Sequence, residues 1–123
     1  MTVNATPRAD MAFLTPLLLE DVQDGWVVRT PLVYEAYDGA RYTVYPGFFT
    51  DLASVPRAFW WLFPRDGCYR KAAVLHDWLV TAPSILSWGQ AADVFEAAMA
   101  DIDVPWLRRK TIANAVRFWG LFK

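Results

Sequence analysis

The sequence contains one imidazole, His76, and it stands beside an acid in Ala72-Ala73-Val74-Leu75-His76-Asp77-Trp78-Leu79. Both residues are poor helix formers and both cost free energy when buried unpaired, so an apolar run gains nothing from them unless they are partnered or used. A second acid, Asp93, interrupts Ala91-Ala92-Asp93-Val94-Phe95 in the same way. Two helices joined by a short loop pack as an antiparallel hairpin. His76 lies about six residues before the Ala82-Pro83 stop and Asp93 about six after Ser87, which puts both about 9 Å from the closed end. That level placement allows the Asp93 carboxylate to hold one ring nitrogen of His76 while the other faces a pocket, as general-base catalysis requires. Asp77 is turned by about 100° from His76, so it would point elsewhere and offer oxygen to a hard cation such as Ca²⁺ or Mg²⁺.

A buried His–Asp pair tying two helices together satisfies the same pattern without catalysis, and spacing leaves both roles open. Asp51 belongs to a second polar cluster, Gly47-Phe48-Phe49-Thr50-Asp51-Leu52-Ala53-Ser54-Val55-Pro56-Arg57, at the junction where strand-like sequence becomes helical. Such a junction can offer backbone groups and a carboxylate to an ion, and either Asp51 or Ser54 can cap the following helix. A third cluster is basic: Arg108, Arg109, Lys110, Arg117 and Lys123 lie in one stretch with no acid, interleaved with Phe118 and Trp119. This fits a nucleic-acid or acidic-partner face, or a solvated helix face whose late cations complement the helix dipole. The sequence holds no Gly-rich phosphate loop, CxxC, HExxH or GxSxG motif. One Cys and one His also speak against a structural zinc site. A nucleophile pair of Cys68 with His76 has only weak support.

The elements that must position these residues divide near Asp51. Before it, Gly25-Trp26-Val27-Val28-Arg29, Leu32-Val33-Tyr34-Glu35 and Arg41-Tyr42-Thr43-Val44-Tyr45 read as strands, with Asp38-Gly39 as a hairpin turn and Thr30-Pro31 as a break. Phe48-Phe49-Thr50 adds a further short extended piece. After it come a short aromatic helical turn near Pro56–Leu62 and three expected helices, from Tyr69 to about Thr81, from Trp88 to about Asp101 with Ser87 as N-cap, and from Trp106 to about Phe122. The expected fold is therefore α+β. A small antiparallel sheet over about residues 12–52 packs with a C-terminal three-helix segment in one domain of 123 residues. Residues 1–11 would form an arm that is flexible or bound to a partner.

Composition narrows the function classes. The chain is 55% hydrophobic and 20% charged, which marks a core-forming globular sequence. Twelve basic residues against thirteen acidic ones give a net charge of −1, which argues against a surface tuned as a whole to nucleic acid. No apolar run approaches the roughly 20 residues that span a bilayer, and the first 26 residues lack the basic leader and cleavage site of a signal peptide. Seven Trp residues, with Phe59, Trp60, Trp61 and Phe63 close together, supply more aromatic surface than a core of this size hides easily.

Three blocks taken together, Thr50–Arg57 (TDLASVPR), Ala72–Leu79 (AAVLHDWL) and Ala91–Met99 (AADVFEAAM), resemble a family of bacteriophage and prophage proteins catalogued as domain of unknown function 1353. The resemblance covers nearly the whole chain from about residue 25 and implies a phage origin. Within it, His76-Asp77 followed by Ala92-Asp93 is similar to the paired motifs of secreted and parvoviral phospholipases. That similarity implies His76 as the base that activates water, Asp77 as a Ca²⁺ ligand and Asp93 as the residue orienting His76. The chain departs from these patterns at Val80, where a Tyr is usual, and at Trp88-Gly89-Gln90, where the phage family often has an Arg. It also lacks the glycine-rich Ca²⁺ loop of the phospholipases.

Two functional expectations follow. One is a metal-assisted hydrolase of an ester, such as a phospholipid, acting in lysis or entry, with His76 and Asp93 catalytic and Asp77 and Asp51 binding Ca²⁺ or Mg²⁺. The other is a non-enzymatic virion or assembly component in which the polar cluster is a clasp and the aromatic and basic surfaces meet other phage proteins. Either would place the protein in the host cytoplasm, the virion or both.

Overall fold

The computed structural model describes residues 12–51, 69–81 and 86–120. The expected N-terminal arm 1–11, the helical start at Pro56, the aromatic group 59–63, Ser54 and Cys68 lie outside the described residues. Five short strands precede three helices: β1 (Leu19–Val22), β2 (Gly25–Val28), β3 (Leu32–Glu35), β4 (Arg41–Val44), β5 (Phe49–Thr50), α1 (Tyr69–Thr81), α2 (Trp88–Asp101) and α3 (Trp106–Trp119). The α+β arrangement expected from the sequence is present, with the strands N-terminal and antiparallel.

The strands form two small sheets instead of one. β1, β2 and β5 make a three-stranded sheet in that order, while β3 and β4 pair separately. The break falls where the sequence puts Thr30-Pro31, since proline has no N–H to give to a ladder. β1 was not separable as a strand in the sequence because three of its four residues, Glu20, Asp21 and Val22, are exposed and show no alternation. A two-residue turn, Gln23-Asp24, joins it to β2, with Asp24 at φ 71°, a conformation that Asp tolerates better than most residues. The expected Asp38-Gly39 turn joins β3 to β4: Gly39 adopts φ 89° and Asp38 Oδ1 accepts from the Ala40 N–H at 2.9 Å.

Residues of β3 alternate as a half-buried strand should, with Leu32 and Tyr34 inward and Val33 and Glu35 partly exposed. Helix α1 is different. From Ala72 to Leu79 every residue but Trp78 is buried, so this helix is enclosed on all sides. It packs against α2 on one flank and against β3, β4 and β5 on the other, which makes it the centre of the domain. α2 starts at a capping box: Gln90 N–H donates to Ser87 Oγ and the Ser87 N–H donates to Gln90 Oε1. It buries Ala91, Ala92, Phe95, Ala98 and Met99. α3 adds Ile112, Ala113 and Val116 to the same core.

The short strand β5 reaches α1 because β2 lets it come close. A Cβ placed on Gly25 would lie 2.6 Å from the Thr50 carbonyl oxygen, so only glycine admits that approach. Gly25→Ala should therefore push β5 off β2 and lower the unfolding free energy by about 1–3 kcal/mol, the range for overpacking a tight site. A shift of the urea midpoint at unchanged slope checks this.

Candidate functional site

His76 and Asp77 occupy the middle of the enclosed helix α1, and both are buried. Their turn of about 100° along the helix sends them to different neighbours. The His76 ring lies against α2, with the Phe95 ring centroid at 4.8 Å and the Trp88 ring edge-on at 5.7 Å. Asp77 faces the sheet, where Thr50 Oγ1 donates to its Oδ2 at 2.5 Å. Thr81 Oγ1 donates to the Asp77 carbonyl one turn on, which satisfies backbone near the end of α1. Trp88 is itself fixed, because its Nε1 donates to the Val116 carbonyl of α3 at 2.7 Å. A Cβ on Gly120, just past α3, would run into the Trp88 ring.

The environment of His76 is apolar enough to decide its charge. Relative exposure is 0%, and burial pushes its imidazole from 6.5 down to about 4. The ring is neutral at pH 7, and burial opposes the proton uptake that a general base undergoes during turnover.

Asp93 is not where the level placement put it. Its carboxylate Oδ1 takes a hydrogen bond from Arg117 Nη2 of α3 at 2.6 Å, and its side chain is 69% exposed. The expected contact with His76 is not made. The reason is rotation about the axis. Ala91 and Phe95 define the inward face of α2, and Asp93, two residues from each, is turned by about 200° from Ala91. The two residues match in height along the hairpin, but the phase of the apolar stripe of α2 turns Asp93 outward.

Arg117 also donates to Glu96 Oε1 at 2.9 Å, and Lys110 Nζ lies 2.6 Å from Glu96 Oε2. Two cations of the basic stretch thus serve the α2–α3 seam. Burial works against ionisation of Glu96, but hydrogen bonds from Lys110 and Arg117, and their charges, hold its carboxyl below the usual range.

Asp51 follows Thr50 directly and is exposed, whereas Thr50 is buried. The structure thus brings His76 and Asp77 into the core and keeps Asp51 and Asp93 at the surface. Among the described residues, no three His, Cys, Asp or Glu side chains come together in a group suited to a metal ion. No helix among the described residues is long and apolar enough to cross a membrane.

Like Thr50–Asp77, a second buried polar contact has no local signature in the sequence that pairs its residues. Tyr34 Oη of β3 donates to Asp101 Oδ2, at the end of α2, at 2.7 Å, and both residues are buried. The inward phase of Tyr34 in β3 could have flagged it; the position of its partner at the close of α2 could not be read from spacing. Tyr34–Asp101 and Thr50–Asp77 follow one plan, in which a strand hydroxyl holds a helix carboxylate.

Comparison with protein families gives one answer. The family described as "Protein of unknown function (DUF1353)" matches residues 26–116. The chain belongs to that family. Comparisons with curated proteins and with solved structures find no match to this chain. The family match spans all of α1 and α2 and most of α3, and hence both strand-to-helix clasps.

The geometry ranks the polar contacts by cost of removal. Thr50→Val keeps the shape but removes one donor from the buried Asp77 carboxyl group, and should cost about 1–3 kcal/mol. Asp93→Asn weakens an exposed ion pair and should cost under about 1 kcal/mol. Chemical denaturation of the two variants checks the order, and equal losses would contradict it. The lowered imidazole also sets a pH dependence. Between about pH 6.5 and 4 the unfolded chain binds a proton at His76 that the folded chain refuses, so stability is full above 6.5 and falls as pH drops through this window. His76 should account for a loss of roughly 3 kcal/mol across it, and His76→Gln should flatten that part of the stability–pH curve.

Proposed function

We propose that the protein is a non-enzymatic component of phage particles or of their assembly, in which His76 and Asp77 hold the fold together. One observation carries this reading: His76 is fully buried between aromatic rings while Asp93, the acid that would orient it, is held by Arg117. A general base needs contact with the water or substrate it deprotonates and a partner that stabilises its protonated form. Full burial keeps the His76 ring away from solvent and lowers its affinity for a proton, both of which work against that role.

The phage setting rests on the resemblance of Thr50–Arg57, Ala72–Leu79 and Ala91–Met99 to a phage and prophage family. In this reading the chain works in the host cytoplasm during assembly, in the virion, or in both, and its partners are other phage proteins. Surfaces for such contacts include Trp106, Leu107 and Phe118 on α3 and Tyr37 and Tyr45 beside β4, all large apolar side chains that are well exposed. Phospholipid or ester hydrolysis, and a Ca²⁺ or Mg²⁺ site at Asp77 and Asp51, play no part in it. Asp77 already accepts from Thr50, so metal ligation there would have to compete with that hydrogen bond.

Two measurements on the intact chain test the proposal. Quantitative mass spectrometry of particles assembled with the chain expressed in its own genetic context should find it at stoichiometric copy number or in assembly intermediates. Phosphatidylglycerol vesicles incubated with the purified chain and Ca²⁺ or Mg²⁺ should release no fatty acid above background. Metal-dependent release that disappears in His76→Ala, while the variant stays folded, would overturn the proposal in favour of hydrolysis.

A further inference from the structure

We draw no further inference here: the strongest candidate, the outward face of α3 with Leu107 near one end and Phe118 near the other, is interrupted by exposed Thr111 and Asn114, and nothing in the structure shows what covers it.

Discussion

A carboxyl group inside an apolar core needs hydrogen-bond partners, and Thr50 is one that Asp77 has. Much of the architecture follows from where this contact sits. Thr50 ends the shortest strand, and that strand is held by a ladder of only two residue pairs to β2. Gly25 permits the close approach, β2 fixes the position of Thr50, and Asp77 ties the result to the central helix. Tyr34 and Asp101 repeat the connection between β3 and the far end of α2. Two small sheets, neither large enough for independent stability by strand pairing alone, are thereby each joined to the helices by a buried polar contact as well as by packing.

The helical half is organised around Trp88. Its ring edge meets His76 of α1 and its N–H reaches a carbonyl of α3, so one side chain at the start of α2 touches both neighbouring helices. The Trp88 ring comes so close to Gly120 that no side chain fits at that position. His76 is therefore enclosed by groups that are themselves tied down, and its neutral ring contributes as a flat, aromatic packing element. On the outer side, Arg117 and Lys110 gather Asp93 and Glu96 into a charged seam between α2 and α3. This seam is more exposed than the strand-to-helix clasps, so its energetic contribution is smaller and more sensitive to salt.

Much of this was readable from the residues in order. Ser87 marks the start of α2, Pro105 precedes α3, and the change of texture at Asp51 separates strands from helices. The polar pair in Ala72–Leu79 marks His76 and Asp77 as residues that need partners, but nothing local to Asp77 separates a buried carboxylate from a solvent-facing one. What spacing did not reveal was direction. Asp93 matches His76 in height but faces away, because the phase of the Ala91–Phe95–Ala98 stripe turns it outward. Separation into two sheets depended on which strands pair across distance, and neither the two-residue β5 nor the exposed β1 carries an alternating pattern to announce its partner. Asp101 gave no local sign of its bond to Tyr34, since that contact joins residues 67 apart in the chain.

The central claim is that His76 is a neutral packing residue and not an accessible base. Because the chain has a single histidine, NMR titration of its imidazole signals, with and without Ca²⁺ and Mg²⁺, examines that residue alone. Ring resonances should keep their neutral-form shifts from pH 8 down to about pH 5, move only as the pH nears 4, and not respond to either cation. An imidazole that titrates near 6.5 and shifts when Ca²⁺ or Mg²⁺ is added would contradict it.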